Sequence, residues 1–371
     1  MNILLQSRTT LFSVPGGDTI QLVNTARALR DLGCRVDISI ELEPNLSGFD
    51  LVHVFNLTRP QEVYLQVANA KHQGKPVALS TIYVDYSEYD RRGRRGVSRV
   101  VMKILAQKHI EYLKVLARAV INCESNKGTW VLLRRGYRTL QREIIAMSDV
   151  FLPNSASEML RVTADFPECI NKRQVVVPNA VDTSLFDTER TIGDQRFEAY
   201  RGCVLSVARI EGLKNQLNLV RAMRGLPWKL VLVGKPAPNH INYYEQLVRE
   251  AGPNVHIIGP VDHEDLPGLY QIAKVHCLVS WMETTGLSSL EAGAMGCNIV
   301  VTEKGDTRDY FDDFAYYCEP DSVSSIRNAI ISAYENPVDP ALRTLILRNY
   351  TWEKTAGKTM EGYKNVLEQV R

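Results

Sequence analysis

Short apolar runs alternate with helix-length amphipathic stretches along almost the whole chain, and few folds other than parallel sheets covered by helices satisfy that alternation. Asn2–Gln6 reads as a first strand. A loop with Pro15, Gly16 and Gly17 follows, then a helix from about Thr19 to Leu32, stopped by Gly33, and a second strand at Cys34–Ile40. Asp50–Phe55, Pro76–Ser80, Ala119–Cys123, Val150–Pro153 and Gln174–Pro178 are further strand candidates. The polar, aperiodic stretch Asp182–Tyr200 reads as a link. A second alternation then starts at Cys203–Val207 and runs through Lys229–Gly234, Val255–Ile258, His276–Val279 and Asn298–Val301. Helices are expected at Asn215–Met223, Tyr243–Glu250, Leu266–Ile272 and Leu287–Met295, and in the tail from Trp352 to Val370. With 371 residues the chain is too long for one ordinary core. The reading is an α/β protein with one Rossmann-like domain over 1–182, a linker over 183–200, a second domain over 201–350 and a C-terminal helix over 351–371.

The composition excludes several classes. A chain with 45% hydrophobic and 23% charged residues is an ordinary globular one, not a disordered or collagenous one. A net charge of +2 gives little global pull on nucleic acid. Seven cysteines without a C-x-x-C pair point to reduced thiols in the cytoplasm rather than a disulfide frame or a zinc site. The opening MNILLQ enters a strand at once and does not read as a signal peptide, and no run of about 18 apolar residues could span a bilayer. No G-x-G-x-x-G follows the first strand, which argues against a dehydrogenase.

The sharpest local signal runs from Trp281 through Glu283, Thr285, Gly286 and Leu287 to Glu291, between a strand and a helix. Free N–H groups around Thr285–Leu287 would then face outward at a helix N-terminus, where an anion is favoured. Glu283 on the loop and Glu291 in the helix could flank one ligand, each accepting hydrogen bonds from vicinal hydroxyls. Equally, Glu291 could be a first-turn acid that complements the helix dipole, and Glu283 an unrelated loop acid. A second signal is Ser206–Asn215, a strand, a glycine-containing loop and a helix start that carry Arg209 and Lys214. Two cations there could stabilise a departing diphosphate, or could be solvated surface charges.

In combination these segments resemble family 4 of the glycosyltransferases, the retaining "glycosyl transferases group 1" enzymes of GT-B fold. Glu283 and Glu291 match the family's E-x7-E element, Val177-Pro-Asn-Ala-Val-Asp182 with Phe186 its domain-junction stretch, and Ser206–Lys214 its phosphate segment. The resemblance implies two Rossmann-like domains facing across a cleft, with the C-terminal helix crossing back to the first. It implies a metal-independent enzyme that takes a sugar from a nucleoside diphosphate, taken to be UDP, and passes it to a glycan or lipid-linked acceptor in cell-surface polysaccharide synthesis. By the same resemblance Arg209 and Lys214 hold the diphosphate and Glu283 meets the donor sugar near the reacting carbon. Glu291 binds the ribose; Thr285, Gly286, Leu287, Gly16 and Gly17 surround the phosphates; and Val261 touches the base. The family's histidine after the Val77–Ser80 strand is absent, and Tyr83 or Asp85 stands in that stretch as a candidate acceptor contact. Thr285 replaces the family's phenylalanine.

Arg91–Arg118 holds nine Lys and Arg against one acid, Glu111, with Val97, Val100, Val101, Ile104 and Leu105 at helical spacing. Such a stretch suits either a peripheral contact with an anionic leaflet or a core helix with a basic outer face. Nucleic acid is not expected as a partner, because no aromatics interleave with the arginines. Three alternatives to transfer are a GT-B epimerase, a phosphorylase and a catalytically silent sugar-nucleotide-binding partner. His53, inside an apolar strand, reads as a satisfied core histidine.

Overall fold

A computed structural model of the 371-residue chain describes residues 1–94, 112, 126–189 and 195–368. The chain divides into two units. One contains Met1–Val84, the described residues up to Asn179 and the helix that starts at Trp352; the other contains the segment from Asp85 and Ala180–Thr351.

The first unit is built on β1 (Asn2–Gln6), α1 (Gly17–Asp31), β2 (Arg35–Ser39), β3 (Leu51–Phe55), α2 (Pro60–His72), β4 (Val77–Ser80), α3 (Lys127–Arg135), α4 (Tyr137–Met147), β5 (Val150–Phe151) and α5 (Ala156–Asp165). Its strands pair in parallel in the order β2-β1-β3-β4-β5. Every residue of β3, Leu-Val-His-Val-Phe, is buried, as expected for a strand covered on both faces. His53 at its centre bonds Tyr363 Oη through Nδ1 at 2.7 Å and Ser80 Oγ through Nε2 at 2.8 Å, so it is a satisfied core histidine. Tyr363 belongs to the C-terminal helix Trp352–Leu367, which packs on α1 and β5.

The second unit repeats the pattern with β6 (Val204–Val207), α6 (Gln216–Ala222), β7 (Leu230–Val233), α7 (Ile241–Glu250), β8 (Val255–Gly259), α8 (Leu266–Ile272), β9 (Val275–Leu278), α9 (Leu287–Ala294), β10 (Asn298–Thr302), α10 (Thr307–Phe311), β11 (Ala315–Cys318), α11 (Val323–Glu335) and α12 (Pro340–Asn349). Its strands are parallel in the order β11-β10-β9-β6-β7-β8. From β6 the chain winds outward to β7 and β8, then returns beside β6 with β9 and winds the other way. The strand order therefore reverses between β6 and β9, and in such sheets ligands bind in the crevice at the strands' carboxyl ends at that point.

Sequence and structure differ in a few elements. Gln174–Pro178 is not a strand: Gln174 makes one isolated bridge to Phe151, and the run ends at Pro178, which has no N–H to continue a ladder. The link Asp182–Tyr200 ends in a short 3-10 helix, Gln195–Tyr200. Strand β11 and helices α11 and α12 lie outside the sequence reading. The Ala119–Cys123 strand and most of the basic stretch Arg91–Arg118 lie outside the described residues. Among the described residues no helix is long and apolar enough to cross a membrane.

Candidate active site

Two loops meet at the carboxyl ends of β6 and β9. Trp281 donates its backbone N–H to Leu213 carbonyl at 2.9 Å, which ties the loop of Lys214 to the loop of Glu283. Lys214 Nζ and Glu283 Oε1 then lie 2.5 Å apart, with side-chain exposures of 20% and 9%. The loop after a third strand, β10, supports the acid: Glu283 N–H donates to Lys304 carbonyl and its own carbonyl accepts from Asp306 N–H, both at 3.0 Å. Gly305 lies between those two bonds at φ +100°, and a Cβ on it would stand 1.9 Å from Glu283 carbonyl oxygen. Only glycine fits so close an approach at that φ.

The Lys214 loop is braced by unusual backbone. Asn215 adopts φ +60° and ψ +27°, the left-handed region that asparagine tolerates better than most residues. Its side-chain amide donates to Val279 carbonyl at 3.1 Å and Pro320 carbonyl at 2.6 Å, pinning the loop to the segments that follow β9 and β11. Gly212 N–H donates to His240 Nδ1 at 3.3 Å, and burial holds the His240 pKa below its usual value, which suits a neutral acceptor. The segment from Asp85 closes over the same turn. Its π-helical turn, Tyr89–Gly93, brings the Tyr89 hydroxyl to 2.5 Å from where a Gly212 Cβ would be, and sets the Tyr89 ring against Trp281 at 6.5 Å. Arg209, half-exposed, contacts Glu211 at 3.4 Å.

Gly286 precedes α9 at φ +73°, ψ +61°, and its carbonyl accepts from Ser289 and Leu290 N–H. Leu287 and Ser288 begin that first turn, where N–H groups have no intrahelical partner and an anion is favoured. Thr285 is buried and its Oγ1 bonds Tyr310 Oη at 3.3 Å. Glu291 lies roughly 6 Å further along the helix from Leu287, by the 1.5 Å rise per residue. His263 Nε2 is 2.9 Å from Glu291 Oε1, and Tyr270 donates to Oε2 at 3.0 Å. The bond from Glu291 raises the His263 pKa above its usual value, overcoming burial, with Asp182 and Glu264 adding to the rise. Val261, two residues after Gly259, packs on the core cluster that includes Phe186 and Tyr270.

Lys214, Glu283, Arg209, Gly286, Leu287, Glu291 and Val261 thus all stand in the second unit, and Lys214 and Glu283 touch. Gly16 and Gly17 lie in the first unit, where Gly16 caps α1 and accepts from Thr19 and Ile20 N–H. Beside them Arg8 Nε bonds Asp18 at 2.7 Å; burial would raise that carboxyl, but the Arg8 bond and charge hold it below its usual value. Tyr83, also in the first unit, is buried and bonded through its hydroxyl to Asp165 and, at 3.0 Å, to Arg138. Asp85 is exposed and caps its own turn through Ser87 N–H at 2.8 Å. Sequence reasoning missed His263, Tyr270 and Tyr89. His263 sits in the run Asp262-His-Glu-Asp265, which reads as an ordinary polar loop, and nothing local marks its approach to Glu291.

Two doubly wound parallel sheets give the chain the GT-B fold. Residues 187–351 match the family described as glycosyl transferases group 1. A mannosyltransferase of Mycolicibacterium hassiacum, "MMP alpha-(1->4)-mannosyltransferase", is 25% identical over 64% of this chain, a match that spans 60% of that protein's length. An O-antigen chain mannosyltransferase B of Escherichia coli is 24% identical over 45% of this chain and 46% of its own. Among solved structures, sucrose-phosphate synthase of Thermosynechococcus elongatus superposes with a TM-score of 0.71 at 18% identity, covering 100% of both chains. HepE of Anabaena in complex with UDP and glucose gives 0.65 at 14% identity, covering 98% of this chain and 99% of its own.

Proposed function

We propose that the chain is a retaining glycosyltransferase that moves a sugar from a nucleoside diphosphate to a glycan or lipid-linked acceptor. The observation that carries this reading is the Lys214–Glu283 contact of 2.5 Å at the switch point. A cation and an acid meeting there suit the point where a leaving phosphate joins a sugar. Arg209, Lys214 and the N–H groups at the start of α9 take up the negative charge that develops as the anomeric bond breaks. Glu283 bonds the donor sugar's hydroxyls and Glu291 the ribose. The acceptor hydroxyl attacks from the face the diphosphate leaves, and its proton passes to a leaving phosphate oxygen, so configuration is kept without a covalent enzyme intermediate. The charge of the diphosphate is met by protein cations, so transfer is proposed to need no added metal.

UDP is proposed as the carrier, because a structural relative is described with UDP and glucose. Cell-surface polysaccharide is proposed as the destination, by analogy with the O-antigen mannosyltransferase. A cytoplasmic location with peripheral contact to anionic lipid is proposed from the basic composition of Arg91–Arg118.

The test is direct. Incubation with UDP-, GDP- and ADP-sugars and a pool of glycan and lipid-linked acceptors should give transfer that survives EDTA. Glu283→Gln should cut kcat by at least about a hundredfold, the scale for losing one preorganised transition-state group. Turnover of donor without any acceptor would favour an epimerase, and undiminished transfer by Glu283→Gln would end the proposal.

A further inference from the structure

Glu291 is gripped on its two oxygens by residues from one stretch of chain. His263 begins the single turn His263–Asp265 that leads into α8, and Tyr270 stands on α8 itself. Phe186 meets both rings edge-on, with centroids 5.2 Å from His263 and 5.9 Å from Tyr270. The two partners are not alike in access. Tyr270 is fully buried, whereas 46% of the His263 side chain is exposed. A ligand that reaches Glu291 therefore arrives past the histidine, not past the tyrosine.

Resting on the reading that the second unit binds a nucleoside diphosphate, we propose that His263 is a positioning residue for the nucleoside: it fixes the Glu291 carboxylate for the ribose hydroxyls and borders the nucleoside itself. The chemistry is one of counting donors. A carboxylate accepts at about four lone-pair sites. Among the described residues Tyr270 and His263 occupy one on each oxygen, which leaves one on each, a matched pair of acceptors for two vicinal hydroxyls. Because the carboxylate only accepts, His263 Nε2 must carry the hydrogen, and Nδ1 is the ring's other edge. With both anchors in place the carboxylate has a single orientation. With Tyr270 alone it can swing, and the diol loses a prepared partner.

The arrangement is also linked to protons. Among the described residues the charges that act most on His263 are Glu291, Asp182 and Glu264, all acids, and Tyr270 bonds the other oxygen of Glu291. Protonation of His263 therefore adds a positive charge among acids near an anionic ligand. Affinity for a nucleoside diphosphate is higher with His263 protonated, and falls as pH rises through its titration.

The experiment is calorimetry on the full chain with UDP, GDP, ADP and inorganic pyrophosphate between pH 6 and 8. For the nucleoside diphosphate that the wild type takes, His263→Ala should raise the dissociation constant by about tenfold, the scale of one hydrogen bond to a charged group. Pyrophosphate, which feels the charge of His263 but has no ribose, should lose much less. In transfer assays the donor KM should rise with kcat kept. His263→Gln retains an N–H donor and should recover most of the affinity, but without the pH dependence of the wild type. An unchanged dissociation constant in His263→Ala, or an equal loss for pyrophosphate, overturns the role of His263. A wild type that binds none of the three nucleotides instead removes the reading on which the proposal rests.

Discussion

Lys214 and Glu283 form a mostly buried pair, so removing one partner and removing both should differ. Lys214→Ala leaves the acid desolvated without its cation and should cost about 1–3 kcal/mol of stability as well as transfer. Lys214→Met combined with Glu283→Gln leaves no charge behind and should recover much of the melting temperature while transfer stays lost. Thermal melts beside transfer assays on the two variants and the double variant separate the structural part of the pair from the chemical part. Gly305→Ala should cost about 1–3 kcal/mol from its φ alone. The clash with Glu283 carbonyl adds to that, and urea titration reads the sum. Two buried histidines set an acid limit. Burial takes His53 and His276 down to about 3, so they stay neutral in the folded chain. The unfolded chain binds protons at these residues below about pH 6.5 and the folded one does not. Stability should therefore fall with pH from about 6.5 toward 3, by about 1.4 kcal/mol per pH unit for each histidine. Urea midpoints at pH 7 and pH 5 check the sign, and a midpoint that rises on acidification would contradict it. Of the residues that matter here, strand–loop–helix spacing places Glu283, Arg209 and Lys214 on loops after strands and Glu291 in the helix that follows, while the roles proposed for them come from the family resemblance. His263 and Tyr270 were not, because their partner is supplied by another element and only the sheet's winding brings them together.

At the scale of elements, the turn Ile210–Asn215 is shaped by what presses on it. Tyr89 lies against Gly212, His240 accepts from its N–H, and Trp281 holds Leu213. Tyr89→Ala should loosen that turn. Amide exchange at Gly212 and Leu213 should speed up and the donor KM should rise, while β6 keeps its protection; unchanged exchange at both amides would show that the tyrosine does not brace the loop. The sequence revealed both alternations of strand and helix, since apolar period alone dictates them. It misread Gln174–Pro178, where the apolar run is real but the pairing is one bridge, and it passed over β11, whose first three residues are only half-buried. No local pattern shows that Asp85–Gly93, close to β4 in sequence, folds with the second unit.

At the scale of the molecule, each unit borrows chain from the far side of the other in sequence. Tyr363 is fully buried in the first unit, and Tyr363→Phe should cost about 1–3 kcal/mol by leaving His53 Nδ1 unpaired. A protein ending at Thr351 should do worse, since it loses the whole helix that covers α1 and β5. Soluble yield and melting temperature of the shortened chain measure this, and a melt equal to that of the full chain would refute it. The threading has a genetic consequence. A crossover near codon 180 that imports a foreign second half would pair it with a resident Tyr89 strap selected against a different Gly212 turn. The Gly212 turn is thus not a cassette that recombination can lift out in one piece; its packing is inherited from two stretches of the gene that must change in step.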